Sequence, residues 1–313
     1  EGLEKALTKM VADVAGSYAL IIMTDDKLIG IRDPYGIRPL ALGKLNNSYI
    51  IASESCAFDA VGADFIRDVK PGEIIIIGKD GLESIQTPVP LKSKLCIFEF
   101  IYFARTDSII DGVSVYMARQ EAGKILAQEH PVDADLVIGV PDSGTTAALG
   151  YSAASGIPFG EGLIKNRYVG RTFIQPSQDM REQGVRIKLN ALRKIVKGKR
   201  IVMVDDSIVR GTTSKAIIEM LRLAGAKEIH MRISSPPVRY PCFFGIDTPD
   251  RDQLIGARSS VDEIGDLIGA DSLNYLSLNG LLKTVESSGC DFCLGCFNND
   301  YPMPVGTVKN EKD

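Results

Sequence analysis

The stretch IVMVDDSIVRGTTS, Ile201–Ser214, decides how the second half of this chain folds. An apolar run, Ile201 to Val204, leads into two adjacent carboxylates, Asp205 and Asp206. A turn of small residues, Arg210-Gly211-Thr212-Thr213-Ser214, then opens a helical pattern. Such an unbroken run reads as a strand buried on both faces, as in a parallel sheet. Carboxylates at the carboxyl end of such a strand lie where α/β sheets bind ligands, and paired acceptors there can hold the two hydroxyls of a ribose. Glycine lets the backbone approach a phosphate, and the helix N-terminus offers free N–H groups and a positive dipole end. Thr212, Thr213 and Ser214 add hydroxyl donors. Either half alone is an ordinary strand end or helix cap; the combination describes a phosphate-and-diol site.

Outward from this core the same grammar repeats. LVIGVPDSGTTAALGY, Leu136–Tyr151, is again strand, small-residue turn (Pro141 to Thr145) and helix, a second turn suited to an anion. VYMARQEAGKILAQEH and SKAIIEMLRLAG have helical period, and ADLVIGV and EIHMRIS are short apolar strands. Strands alternating with helices of this length predict a parallel sheet with right-handed crossovers. Between them KNRYVGRTFIQPSQDMREQGVRIKLN has no clear period and is basic; a loop that long in a compact domain is usually functional or disordered. Its Lys165, Arg167, Arg171, Arg181, Arg186 and Lys188 are candidates to neutralise a polyanion.

The N-terminal part reads differently. EGLEKALTKMVADVAG places Leu3, Leu7, Met10, Val11 and Val14 on one helical face. YALIIMTD, KLIGIRD, RPLALGKL, SYIIASES and GEIIIIGKDGLESI follow as β-like runs, with Asp80-Gly81 as a hairpin turn. Residues 1 to about 86 therefore predict an antiparallel sheet layered with one or two helices, and Gln86 to Lys94 a linker. The chain opens on Glu1, inside the first predicted helix, which suggests a fragment, a processed product or an incomplete piece.

The chain has 313 residues, enough for two domains, with 45% hydrophobic and 24% charged residues. It has no apolar run of the ~18 residues a membrane span needs, and no signal-peptide pattern. A net charge of -4 and a pI near 5.4 argue against nucleic acid as a partner. With only His130 and His230, histidine-based metal or triad chemistry has little to draw on.

IVMVDDSIVRGTTS closely resembles the phosphoribosyl-pyrophosphate signature of type I phosphoribosyltransferases. RDPYGIRPLALG (Arg32–Gly43), ASESCAFDAVGA (Ala52–Ala63), CIFEFIYFARTDS, KNRYVGRTFI, SSPPVRYPCFFGIDTP and CLGCF resemble, in order, the glutamine-dependent amidophosphoribosyltransferases of purine synthesis. Thr106 departs from that pattern, which usually has proline after FAR. The resemblance implies the C-terminal part of an α+β glutaminase of the N-terminal-nucleophile type over 1–90. Over 91–313 it implies an α/β phosphoribosyltransferase with a cysteine-bearing tail.

It further implies that Asp205 and Asp206 orient the ribose diol and, with Ser143, bind Mg2+. Thr212, Thr213, Ser214 and the backbone around Gly211 would hold the 5-phosphate, with Ser207 and Arg210 also among the substrate-binding residues. Asp142, Ser143 and Gly144 would bind pyrophosphate, joined by Arg171 and Lys188 on loop closure. The implied reaction converts phosphoribosyl pyrophosphate and glutamine or ammonia into phosphoribosylamine. The family's nucleophilic cysteine and glutamine-binding residues fall before Glu1, so these 313 residues alone are expected to use ammonia. The resemblance also implies purine nucleotides as feedback inhibitors, a homotetramer, and a cytoplasmic or, in a plant, plastid location. Two alternatives weigh less: a regulator that binds phosphoribosyl pyrophosphate, and a nucleobase phosphoribosyltransferase. The acidic balance counts against the regulator; the glutaminase-like part and the cysteines count against both.

Cysteines stand at 56, 96, 242, 290, 293 and 296. A cytosolic enzyme keeps such thiols reduced. Cys-Asp-Phe-Cys-Leu-Gly-Cys has metal-ligand spacing compatible with zinc or iron–sulfur. In the family resembled, some members carry a [4Fe–4S] cluster, whose ligand positions match Cys96, Cys242, Cys293 and Cys296. Cys290 and Cys56 stand outside that set. The cluster's expected role is structural, tying the tail to the catalytic domain.

Overall fold

The computed structural model describes residues 2–88, 93–166, 168, 188–246, 248 and 250–305. In the N-terminal layer, strands β1 (Ala19–Met23), β2 (Leu28–Arg32), β6 (Glu73–Gly78) and β7 (Gly81–Gln86) form an antiparallel sheet in the order β1-β2-β6-β7. A second antiparallel sheet has the order β4-β3-β5, from β3 (Ala41–Leu45), β4 (Ser48–Ala52) and β5 (Asp64–Asp68).

The isoleucine run of β6 explains the layering. Ile74 and Ile76 pack with Leu7 and Val11 of helix α1 (Leu3–Asp13), whereas Ile75 packs with Leu40, Leu42, Ile51 and Val69 on the other side. A strand buried on both faces has no use for alternation, hence the continuous apolar run. Met10 of α1 is partly buried against this core, but Leu3 and Val14 are exposed. Helix α2 (Cys56–Val61) and β5 went unpredicted. The β6–β7 turn also falls one residue earlier than expected. Gly78 pairs with Gly81, so Lys79-Asp80 make the turn, and Gly81 takes the positive φ of +108° as the first residue of the return strand.

The segment read as a linker is held at both ends. Thr87 bonds the Gly72 carbonyl at 2.8 Å, and Lys94 opens β8 (Lys94–Cys96) with its N–H on the Tyr35 carbonyl. A π-helical turn over Glu99–Phe103 and a short hairpin, β9 (Ile109–Ile110) and β10 (Val113–Ser114), lead into helix α3 (Val115–Glu129).

The predicted parallel sheet is present, in the order β11-β14-β15-β16, from β11 (Leu136–Gly139), β14 (Arg200–Asp205), β15 (Glu228–Ile233) and β16 (Ser272–Tyr275). Alternate residues serve two cores. Val202 and Val204 face helices α3 and α4 (Ser143–Ser155); Ile201 and Met203 face helices α5 (Thr212–Leu223) and α6 (Val261–Ile268). The basic loop springs from a two-stranded stem not predicted from sequence, β12 (Leu163–Lys165) paired antiparallel with β13 (Leu189–Ala191). In the tail, β17 (Asp291–Cys293) returns beside β8. Both histidines have structural partners: His130 Nε2 meets the Tyr275 carbonyl and His230 Nδ1 the Ser272 hydroxyl, each at 3.0 Å.

The N-terminal layer grips residues 99–111 of the transferase half at several points. Arg38 pairs with Glu99 at 2.9 Å; Glu54 accepts from the Arg105 N–H and the Ser108 hydroxyl; Ser55 accepts from the Ile109 N–H. Arg32, 1% exposed, makes a bidentate pair with Asp111 and also donates to the carbonyls of Gly36, Arg38 and Val69. Removing one partner of such a pair leaves a buried charge unpaired, at a cost of about 3–5 kcal/mol.

Asp68 sits beside this pair. Burial, with a smaller contribution from the Asp111 charge, pushes its carboxyl up to about 6 from an ordinary 3.8. A raised folded-state value favours the protonated form, so the contribution of this carboxyl to stability is fully present below about pH 4 and is lost as pH climbs through about 6. Asp68→Asn should therefore stabilise the fold at pH 8 by up to about 3 kcal/mol and by little at pH 4. Denaturant unfolding at the two pH values checks this; an equal change at both contradicts it.

Candidate active site

The two strand–turn–helix units leave neighbouring strands at the same end of the sheet. Gly139 of β11 pairs with Val204 of β14, and the Val140 N–H continues the ladder to the Val204 carbonyl at 2.9 Å. The turn 141–144 and the turn 205–211 therefore emerge side by side. The Pro141–Asp142 peptide is cis. Gly144 sets how closely the turns approach: a Cβ there would lie 2.5 Å from the Val204 carbonyl oxygen and 3.1 Å from Asp205 Cα. With hydrogen in that place, α4 starts directly against the end of β14. The Ser143 hydroxyl then donates to the Asp206 carboxylate.

Asp205 and Asp206 are each only 7% exposed. Burial and the neighbouring Asp206 charge hold Asp205 well above the usual carboxylate range. Asp206 is also raised by burial, against the hydrogen bonds from Ser143 and Ser207 and the field of Arg119. The Ser207 hydroxyl reaches Asp206 at 2.5 Å, and the Asp206 N–H donates to Asp205 Oδ1 at 2.9 Å. The Ser234 N–H fixes the Asp205 carbonyl at 2.9 Å. Two carboxylates are thus buried side by side with hydroxyls and backbone for partners, a pair short of positive charge.

Beyond them Gly211, at φ +80°, caps α5. Thr212 is half-buried, Thr213 and Arg210 are exposed, and Ser214 is buried in the first turn. Arg210 Nε contacts Gln253 at 3.3 Å. A 12-residue helix opening on a left-handed glycine presents its first N–H groups beside the diacid, as an anion site requires.

The first turn differs in detail from expectation. Lys165 Nζ pairs with the exposed Asp142 carboxylate, so these two candidates are partnered with each other. Lys188 lies at the foot of the β12–β13 stem, its carbonyl accepting from the Asn166 N–H at 2.6 Å. Arg171, Arg167, Arg181 and Arg186 lie outside the described residues.

Arg119 escaped sequence reasoning. It is 5% exposed on α3 and lies in the same electrostatic neighbourhood as Asp206. The available signal was its place in the buried stripe of α3, Val115, Ala118, Arg119, Ala122 and Leu126, at helical spacing. A charge inside such a stripe asks for a partner.

Four of the thiols, Cys96, Cys242, Cys293 and Cys296, lie near one another. Parallel pairing of β17 with β8 places Cys293 opposite Cys96, and the Cys296 carbonyl accepts the N–H groups of Arg239 and Tyr240, drawing in the segment that carries Cys242. Cys242 Sγ accepts the Phe244 N–H at 3.3 Å. Burial foremost, then the charges of Cys96, Cys293 and Cys242, push the Cys296 thiol well up. Phe98, Phe244, Phe297 and Tyr301 belong to the same apolar cluster. Among the described residues no three His, Cys, Asp or Glu side chains are grouped to hold a single metal ion. Cys96 belongs to one apolar cluster, and Cys242, Cys293 and Cys296 pack against it. Cys290 lies instead near Ser93, Asp111 and Arg32.

Residues 116–234 match the model of the phosphoribosyl transferase domain, and residues 1–60 that of a glutamine amidotransferase domain. An amidophosphoribosyltransferase of Archaeoglobus fulgidus is 55% identical over 302 residues, covering 96% of this chain, and one of Bacillus subtilis is 53% identical over 307 residues, covering 97%. The chain spans 66% and 64% of those two relatives' lengths, just under two thirds. A solved structure of the B. subtilis glutamine phosphoribosylpyrophosphate amidotransferase, complexed with ADP and GMP, superposes with a TM-score of 0.91 at 52% identity. It is matched over 98% of this chain and 69% of its own. On the sequence, on two anion-ready turns joined through Ser143 and Asp206, and on this likeness over nearly its whole length, the chain belongs to the amidophosphoribosyltransferase family.

Proposed function

We propose that this chain transfers the phosphoribosyl group of phosphoribosyl pyrophosphate to ammonia, giving phosphoribosylamine and pyrophosphate, and that glutamine supplies the ammonia in the whole protein. The observation that carries the reading is the contact between Ser143 and Asp206. It aims two helix-opening turns at one point, as a ligand bearing a phosphate and a pyrophosphate demands. The turn at Gly211 to Ser214 binds the 5-phosphate with backbone N–H groups and hydroxyls. Asp205 and Asp206 accept from the ribose hydroxyls, and the turn 142–144 faces the leaving pyrophosphate. The nitrogen lone pair forms the bond to C1 as the C1–oxygen bond to pyrophosphate breaks, and ammonia gives up a proton. No side chain need act as nucleophile; catalysis is positioning and electrostatics.

A divalent cation suits this site. Mg2+ is commonly held by one or two carboxylates plus substrate phosphates, and the buried, charge-deficient Asp205–Asp206 pair with Ser143 beside it is such a donor set. When bound, Mg2+ neutralises charge that develops on the pyrophosphate. Arg171 and Lys188 are proposed to join the pyrophosphate from the basic loop, with closure keeping water from the reacting carbon. Cys96, Cys242, Cys293 and Cys296 would hold a [4Fe–4S] cluster as a structural clip. Purine nucleotides are proposed as inhibitors, a reading supported by the ADP and GMP in the B. subtilis relative's structure.

Purified chain given Mg2+, phosphoribosyl pyrophosphate and ammonium salts should release pyrophosphate in step with ammonia; none above an Asp205→Asn/Asp206→Asn double variant would overturn the reading. Singly, each Asn variant should lower kcat/KM by on the order of 100-fold, the loss of a charged group that meets the substrate, while melting within a few degrees of the parent. Wild-type kinetics in both would make the diacid a mere strand end.

The cysteine set has its own test. Ser at 96, 242, 293 or 296 should each cost iron content and thermal stability together, since one centre closes the long loops between them. Cys290→Ser should keep both. Loss of iron in the Cys290 variant but not at 293 or 296 would put the ligand register wrong.

A further inference from the structure

The phosphate turn rests on a segment outside the site as described so far. Arg251–Gln253 forms a 3-10 turn and Ile255–Arg258 a single helical turn. Leu254 and Ile255, 0% and 6% exposed, enter different cores: Leu254 the one shared with α3 and α4, Ile255 the one shared with α5 and α6. Those cores lie on opposite faces of the parallel sheet, so the segment crosses the sheet's end. Ile208 and Val209 of the phosphate turn divide between the same two cores. The two crossings touch. The Ile255 N–H donates to the Val209 carbonyl at 3.0 Å, and Arg210 Nε meets the Gln253 side chain at 3.3 Å. A Cβ on Gly211 would lie 3.1 Å from Ile255 Cδ1, so that methyl group sits directly against the glycine that opens α5. The segment is itself braced on backbone: a Cβ on Gly256 would lie 2.8 Å from the Val238 carbonyl oxygen.

In a trans peptide the carbonyl of one residue and the N–H of the next point in opposite directions. Tying the Val209 carbonyl to Ile255 therefore fixes the Arg210 N–H pointing away from the segment. Packing against Gly211 fixes the bend that aims the N–H groups of the first turn of α5. Donors held in place before the ligand arrives bind an anion without the entropic cost of being ordered by it. We infer that Ile255 is a positioning residue for the 5-phosphate half of the site, with the segment Arg251–Arg258 as the shelf that holds the phosphate turn in its binding form. This rests on the reading of that turn as the 5-phosphate site. Ile255 acts through Val209 and Gly211, not on the ligand. The turn 141–144 is held differently, by α4 starting against the end of β14 at Gly144, so the pyrophosphate half should not depend on Ile255.

The test is calorimetric titration of the full chain, in Mg2+, with ribose 5-phosphate and separately with pyrophosphate, alongside circular dichroism melting of each variant. Ile255→Ala removes the side chain that meets Gly211. It should weaken ribose 5-phosphate binding roughly tenfold, the worth of one hydrogen bond to a charged group, and leave pyrophosphate within about twofold of the parent. Ile255→Val deletes the Cδ1 methyl alone and should give about a threefold loss with the same selectivity; it decides the matter if the alanine variant does not fold. Ile264→Ala empties a like volume of the same core, on α6, and should leave both ligands near the parent. Three outcomes would make Ile255 a core residue only and overturn the inference: equal weakening of both ligands in a folded Ile255 variant, unchanged ribose 5-phosphate binding there, or an equal loss of it in Ile264→Ala. A parent that does not bind ribose 5-phosphate would instead overturn the reading of the turn as the phosphate site, and the inference with it.

Discussion

Two adjacent carboxylates buried at the end of one strand are the constraint to which the transferase half is fitted. Asp205 and Asp206 repel each other and have left bulk water, so their surroundings must supply what water did. Ser143, Ser207 and backbone supply hydrogen bonds. Gly144 makes the first of these possible by letting α4 begin against the strand that carries the pair. The helices follow suit. Gly123 of α3 and Gly150 of α4 lie so close to the facing helix that a Cβ on either would enter its backbone, so the two helices pack directly against each other. The site remains short of positive charge, which is what a ligand delivered with a divalent cation would correct.

The N-terminal layer is not a passenger on this arrangement. Arg38 and Glu54 reach residues 99–108, and Arg32 is so fully committed to Asp111 and three carbonyls that its donors face inward. The strip between the layer and α3 is thus held from both sides. The thiol site has a contact of its own with the layer: the Phe244 carbonyl accepts from Ser17 at 2.7 Å and Arg38 at 3.0 Å, while the Phe244 N–H reaches Cys242. The thiol site and the N-terminal layer are therefore joined through the Phe244 backbone.

Much of this was legible in the residues, for identifiable reasons. Strands buried on both faces leave uninterrupted apolar runs, so IVMV and IIII announced themselves, and a glycine that must take positive φ marked the phosphate turn at 211. The β12–β13 stem, by contrast, is short, half exposed and flanked by polar loop, with no period to betray it. The β6–β7 turn shifted by one residue because glycine can serve either in the turn or beside it. Arg119 and the pairing of Lys165 with Asp142 depend on partners remote in sequence, which local pattern does not encode. The family resemblance supplied the role of the turns; only the geometry showed that Ser143 and Asp206 meet.

That meeting is the central claim, and ligand competition tests it most directly. Calorimetric titration of the chain with phosphoribosyl pyrophosphate and Mg2+ should show saturable binding that is displaced both by ribose 5-phosphate and, separately, by pyrophosphate, because each fills one of the two turns around the diacid. Displacement by neither, or binding that survives Asp206→Asn unchanged, would mean that the two turns do not form one site.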